Sequence, residues 1–117
     1  MVSKFDINPR DIVLADPQYQ DQIEHKRRPL LVMSKSTFHQ NTGFFVCAGI
    51  TTNQEYDPYL LPITHKDTVD ILREKSQVIC KRIVTVRQDV IVKKVTKVTP
   101  SFYEQITKKI KDDILEL

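Results

Sequence analysis

Three consecutive cations that end at a proline have the clearest capacity for chemistry in this chain. Lys26, Arg27 and Arg28 precede Pro29, and an apolar run at residues 30–33, ended by Ser34, follows at once. Guanidinium groups held at the lip of a folded core present planar forks of donors that match phosphate or carboxylate oxygens. The cluster therefore indicates a site for a phosphate or a carboxylate, with a solvated basic turn as the alternative interpretation.

The rest of the positive charge is concentrated in a second block. Residues 81–97 contain six Lys or Arg and a single acidic residue, although the net charge of the chain is only +3. If the fold brings this block next to residues 24–35, the two would form a basic surface suited to a polyanion. Alternating charges on exposed strand positions are the other explanation of the second block.

The composition favours one folded domain over residues 1–117 and no membrane span. The 117 residues are 40% hydrophobic and 28% charged, which is ordinary for a globular protein. No apolar run approaches the roughly 18 residues that a membrane span needs. Residues 1–6 lack the apolar stretch of a secretory signal, so we expect a cytoplasmic protein.

The cysteines and histidines do not form a pattern typical of a metal site. Cys47 and Cys80 each lie in an apolar run, and we interpret both as buried thiols in a reducing compartment. His25, His39 and His65 are scattered, without Cys or carboxylate partners at ligand spacing. We therefore expect neither a metal ion nor another cofactor.

The elements that must position these residues are mostly strands. Short apolar runs bounded by turn formers predict strands at residues 11–16, 30–34, 43–51, 59–63, 77–80, 82–86 and 90–98. Pro62 cannot donate to a ladder, which predicts an edge strand at 59–63. Residues 17–28 form a polar loop of a length that is often functional.

The chain closes on an amphipathic helix. Thr99 can cap it, and Pro100 suits its first turn. Its apolar stripe consists of Phe102, Tyr103, Ile106, Ile110, Ile114 and Leu117. The stripe predicts packing on the core, with a helix that docks on a partner as the alternative. The fold class expected is mainly β with a C-terminal helix (α+β), arranged as one small barrel of about six strands.

Four ordered segments resemble the PemK/MazF group of toxins from bacterial toxin–antitoxin pairs. They are residues 10–16 (RDIVLAD), 26–34 (KRRPLLVMS), 46–53 (VCAGITTN) and 92–100 (VKKVTKVTP). The similarity extends from about residue 9 to 115, and the second segment is the most specific. It implies an SH3-like barrel of the CcdB/PemK/MazF type and a homodimer. The implied activity is metal-independent, sequence-selective cleavage of single-stranded RNA (mRNA), neutralised by an acidic antitoxin protein.

The resemblance assigns Arg28 and Thr51 as the catalytic pair. Without a metal, the ribose 2′-OH attacks its own phosphate, and negative charge builds up on the phosphorane oxygens. The Arg28 guanidinium would stabilise that charge, and the Thr51 hydroxyl would donate a second hydrogen bond. Because Arg is a poor general base, its role would be electrostatic.

The neighbouring residues would bind the rest of the RNA strand. We expect Lys26 and Arg27 to contact flanking phosphates, and Thr52 and Asn53 to read base edges. Arg82 would lie on the same face as Arg28.

The proton-transfer group is not assigned by the resemblance. One branch of the family uses an Asp two residues after an Arg in the fifth strand, where this chain has Lys81 and Ile79. Glu24 or His25 could supply the missing base, since both lie in the loop near Arg28.

Two further departures concern glycine. Arg10 replaces the glycine that usually precedes the first Asp, and the loop at 17–28 contains no glycine. Because of these departures, the alternative is a catalytically weak or inactive family member. Such a protein would act as an RNA- or antitoxin-binding module. A gyrase inhibitor resembling CcdB is a third possibility, but this chain has no Trp and no aromatic residue at its C-terminus.

Overall fold

The computed structural model describes residues 6–16 and 26–117. It contains a six-stranded antiparallel sheet and a C-terminal helix. The strands are β1 (Asp11–Ala15), β2 (Arg28–Val32), β3 (Phe44–Thr51), β4 (Leu60–Ile63), β5 (Ser76–Arg87) and β6 (Ile91–Lys97). The helices are α1 (Ser36–Thr42) and α2 (Pro100–Asp113). The strand order is β4-β5-β3-β2-β1-β6. The expected mainly β architecture with a C-terminal helix is confirmed. Neither helix in this described part of the chain has the length and apolarity to cross a bilayer.

The connection between β5 and β6 forces the sheet to curl. These strands are separated by three others in the sheet order, yet a single 3₁₀ turn at Gln88–Val90 joins them. So short a link can be made only if the sheet bends round until the end of β5 meets the start of β6. The result is the small barrel that the sequence predicted.

Two buried clusters lie on opposite faces of the sheet because side chains alternate along each strand. The cluster inside the barrel contains Ile7, Val13, Ala15, Leu30, Val32, Phe45, Cys47, Val86, Val90 and Ile91. The cluster under α2 contains Ile12, Leu31, Ala48, Ile50, Val78, Cys80, Val98, Phe102, Ile106 and Ile110. The stripe of α2 therefore packs on the protein's own core.

Both cysteines are free and fully buried, one in each cluster, as expected. Burial raises the pKa of Cys47 to about 12, so its thiol stays protonated and unreactive at neutral pH.

The helix α2 begins as the sequence predicted but ends earlier. The Thr99 side chain accepts a hydrogen bond from the Phe102 backbone N–H, and Pro100 is the first helical residue. The helix ends at Asp113, and Leu117 is 82% exposed. The assignment of Leu117 to the apolar stripe was therefore wrong, because the chain leaves the helical path before reaching it.

Two other elements differ from the prediction. The runs at 77–80 and 82–86 belong to one strand, β5, whose register with β3 shifts between Ala48 and Gly49. Such a bulge keeps the strand continuous while it bends. The helix α1 was not predicted, because its only buried side chain is His39 and it has no apolar stripe. Pro62 does lie in an edge strand, β4, as predicted.

A tight turn before β1 contains Arg10, which stands where the resemblance leads one to expect a glycine. Arg10 adopts a φ of 81°, in the left-handed region that favours glycine. Its backbone N–H donates to the Val32 carbonyl, and its carbonyl accepts from the Val98 N–H. Its Nη1 lies 3.2 Å from the Val98 oxygen. These bonds hold an arginine in a conformation that its Cβ opposes.

Candidate functional site

The strand register brings Arg28 and Thr51 to the same place on the sheet. In the β2–β3 ladder, Leu30 pairs with Gly49 and Leu31 with Ala48. The ladder ends at the Leu30–Gly49 pair, and the same register continued by two residues would set Arg28 opposite Thr51. Residues directly opposite in an antiparallel pair project from the same face. The two expected catalytic residues therefore share one face at the barrel rim, where Arg28 is exposed and Thr51 is half-buried.

Arg82 reaches this face from the other side of β3. A Cβ added to Gly49 would lie 3.1 Å from Arg82 Cδ and 3.4 Å from Ile79 Cδ1. The aliphatic stem of Arg82 thus lies directly over Gly49, which is on the same face as Thr51 two residues away. A side chain at position 49 would require the Arg82 stem to shift by a few tenths of an ångström. Arg28 and Arg82 flank the end of β3 on the strands at either side.

The Thr51 hydroxyl already holds one backbone group. Its Oγ1 accepts a hydrogen bond of 3.1 Å from the Asn53 backbone N–H, which turns the chain away from the strand. A hydroxyl that accepts one bond can still donate its own proton. Thr51 is therefore able to donate to an anion in front of the sheet.

Four of the other expected site residues lie next to this face along the chain. Lys26 and Arg27 are exposed and directly precede β2, while Thr52 and Asn53 are exposed and directly follow β3. Glu24 and His25 lie outside the described residues.

Half of the cations in the second basic block form ion pairs elsewhere. Lys81 pairs with Asp57, and this hydrogen bond lowers the pKa of the Asp57 carboxyl. Arg87 lies 2.9 Å from Asp89. Lys94 lies 3.3 Å from the buried Asp11. Ion pairing therefore accounts for three of the six cations in this block, and Arg82 is the member that lies beside the Arg28 face.

Sequence reasoning missed two glutamines beside this site. Gln77 pairs with Thr51 in the β3–β5 ladder and is only 7% exposed. Its side chain bonds to the segment that follows Thr51, and so does that of Gln54. The available signal was an amide residue at the head of an apolar strand, where a buried polar group needs partners.

Comparisons with known proteins agree with this architecture. The model of the PemK-like, MazF-like toxin of type II toxin–antitoxin systems matches residues 8–113. No curated protein matches the chain significantly. A mycobacterial endoribonuclease in complex with its cognate antitoxin is 19% identical, with a TM-score of 0.69, over 86% of this chain and 87% of that one.

Two other solved structures show the same fold. The Mycobacterium tuberculosis toxin MazF-mt6 is 19% identical, with a TM-score of 0.66, over 86% of this chain and 90% of that one. A MazE–MazF structure from Deinococcus radiodurans is 14% identical, with a TM-score of 0.72, over 89% and 92%. Since the family model covers most of the sequence, the chain belongs to the PemK-like, MazF-like toxin family of type II toxin–antitoxin systems.

Proposed function

We propose that this protein is an endoribonuclease toxin that cleaves single-stranded RNA, including mRNA, at selected sequences and without a metal ion. The products would be a 2′,3′-cyclic phosphate and a 5′-OH. The observation that carries the proposal is the β2–β3 register, whose continuation by two residues would bring Arg28 opposite Thr51, with the Arg82 stem lying over Gly49 on that face. Family membership and the endoribonuclease relatives support the same activity.

The proposed chemistry is an internal transesterification. A base removes the 2′-OH proton, the 2′-oxygen forms a bond to phosphorus, and the bond from phosphorus to the 5′-oxygen breaks. The departing 5′-oxygen takes up a proton. Arg28 neutralises the charge that develops on the phosphorane, and the Thr51 hydroxyl donates to the same group. Either Glu24 or His25 would serve as the base.

The cations around the pair would hold the strand in place. Lys26, Arg27 and Arg82 would contact flanking phosphates, which positions RNA without reading its sequence. Thr52 and Asn53 would contact the edges of splayed bases. Both groups of residues adjoin the Arg28–Thr51 face, which supports this division of roles.

The test is incubation of the purified protein with a long RNA in EDTA, followed by mapping of the cut ends. We expect cuts at a recurrent motif with 5′-OH termini. Arg28→Ala should slow cleavage by about 10²–10³-fold, the usual cost of losing one transition-state donor. Arg87→Ala is the matched control, because Arg87 is exposed at the far end of β5 and pairs with Asp89. Full activity in Arg28→Ala would refute the site.

We further propose an acidic antitoxin as the protein partner, a homodimer as the active form and the cytoplasm as the location. Carboxylates would compete with RNA phosphate for the Arg28 and Arg82 guanidinium groups. Co-expression with an acidic protein encoded next to this one should abolish cleavage. Light scattering should give twice the 13.7 kDa mass of the chain. A monomeric mass in an active sample would refute the dimer.

A further inference from the structure

The buried side-chain amide of Gln77 donates hydrogen bonds to the backbone of one short segment, residues 52–55. It is 7% exposed at the head of β5, where burying an amide is costly unless it is hydrogen-bonded. Its Nε2 donates 2.9 Å to the Asn53 carbonyl and 3.2 Å to the Glu55 carbonyl. Two carbonyls can be satisfied only by the NH₂ end, so the orientation of the amide is determined. Gln77 thus fastens the segment 52–55 to the sheet.

A second glutamine fastens the same segment from within. Gln54 Nε2 donates 2.8 Å to the Thr52 carbonyl and 3.0 Å to the Lys75 carbonyl, next to the start of β5. The Glu55 N–H donates 2.9 Å to Asn53 Oδ1. Segment 52–55 has no regular secondary structure, so these side-chain bonds are what hold its backbone in one shape.

The bonds also decide what Asn53 can offer to RNA. Because its Oδ1 accepts from the Glu55 N–H, its NH₂ group is the end that remains to bind a base. An NH₂ donor selects base edges that carry a carbonyl oxygen or an unprotonated ring nitrogen. Its position depends on the backbone that Gln77 holds.

We propose that Gln77, assisted by Gln54, sets the RNA sequence that is cut by fixing the shape of segment 52–55; this rests on the proposed endoribonuclease function. Gln77 is a positioning residue that acts through Thr52 and Asn53. A preorganised reading segment discriminates between bases because it cannot rearrange around a mismatch. A released segment adapts to more sequences while the Arg28–Thr51 face remains assembled.

The experiment compares Gln77→Glu and Gln54→Glu with Gln105→Glu. Each change keeps the side-chain shape and replaces the NH₂ donor by an oxygen, and Gln105 lies exposed on α2 away from the segment. In Gln77→Glu, the preference for the best motif over single-base variants should fall about tenfold, the worth of one good base contact. On a fully matched oligonucleotide, kcat should change far less than in Arg28→Ala. Gln105→Glu should keep the wild-type motif.

Hydrogen exchange supplies a readout that does not depend on cleavage. The amides of Asn53 and Glu55 should exchange faster in Gln77→Glu than in wild type or Gln105→Glu. If Gln77→Glu fails to fold, the exposed Gln54→Glu variant provides the same two measurements. An unchanged cutting motif in the folded variants would overturn the proposal, as would an equal loss of kcat on every sequence.

The two proposals fail in different ways. If wild type cuts no RNA, the endoribonuclease function fails, and the specificity role fails with it. The exchange rates would then still show whether Gln77 holds the segment. If wild type cuts at a motif that the Gln77 and Gln54 variants share, only the specificity role is refuted.

Discussion

Thr51 carries two roles that different substitutions separate. Its Oγ1 accepts from the Asn53 N–H, and its hydroxyl proton is proposed to donate to the scissile phosphate. Thr51→Val keeps the shape and removes both functions, whereas Thr51→Ser keeps the hydroxyl.

We expect Thr51→Val to lose about 10²-fold in cleavage rate and Thr51→Ser to retain most of it. Single-turnover rates on one oligonucleotide provide the measurement. Equal rates for the two variants would show that the hydroxyl takes no part in the reaction.

His39 is a buried titratable group that the proposed chemistry does not use. It is 0% exposed, its Nδ1 lies 3.1 Å from the Ile7 carbonyl, and its Nε2 lies 2.7 Å from Ser34 Oγ. These contacts suit a neutral ring that donates from Nδ1 and accepts at Nε2. The ring also packs edge-on against the Phe45 ring, with 4.1 Å between the ring centroids. Burial lowers the pKa of His39 below its usual value, although the bonds to Ile7 and Ser34 oppose the shift.

This shift predicts loss of stability in acid. As pH falls through about 6.5, His39 in the unfolded chain takes up a proton that the folded ring does not. The free energy of unfolding should therefore decrease below about pH 7, by at most about 1.4 kcal/mol per pH unit from this group. Urea unfolding at pH 7.5 and 5.5 should show a smaller decrease for His39→Gln than for wild type. His65→Gln, at an exposed position, should behave like wild type.

At the scale of elements, the turn before β1 contains measurable backbone strain. Arg10 has a φ of 81°, which costs an L-residue about 1–2 kcal/mol relative to glycine. Glycine in turn loses more backbone entropy on folding, by about 0.5–1 kcal/mol. Arg10→Gly should therefore be about 1 kcal/mol more stable than Arg10→Ala, since both variants lack the guanidinium bond to Val98.

Chemical denaturation of the two Arg10 variants measures this difference directly. An Arg10→Ala variant as stable as Arg10→Gly would mean that the turn carries no strain. The backbone bonds of Arg10 to Val32 and Val98 are formed in the structure although the residue is not glycine.

At the scale of the whole molecule, RNA binding should depend on salt through a small number of cations. Lys26, Arg27, Arg28 and Arg82 adjoin the site, and each phosphate that they neutralise contributes about −0.7 to the slope of log K against log salt. Arg82→Ala should therefore flatten the slope by about 0.7. Binding titrations at several salt concentrations, with the slowly cleaving Arg28→Ala variant as the background, give the slope.

Arg87→Ala is again the matched comparison, because it removes a cation of the same block that pairs with Asp89. Its slope should equal that of the background protein. An equal flattening by both variants would mean that RNA senses the net charge of the protein rather than a localised site.

Short-range sequence patterns were sufficient to predict four features of the structure. These are the β-rich architecture, the edge strand at Pro62, the helix cap at Thr99 and the burial of both cysteines. Alternation, apolar runs, proline and capping chemistry act over a few residues and can be read directly. The helix α1 and the continuity of β5 could not be read in this way, since His39 finds its partners at Ile7 and Ser34 and the bulge depends on pairing with β3.

The sequence by itself supplied the four ordered segments that indicate the family and, through that resemblance, the candidate residues Arg28, Thr51 and Arg82. Only the tertiary structure decided that the three share a face, because that depends on strand register and on a glycine over which Arg82 can pass. It also decided that Lys81 and Lys94 of the second basic block form ion pairs with Asp57 and Asp11, and that Gln77 holds segment 52–55. These are contacts between residues distant in the chain, which no local pattern encodes.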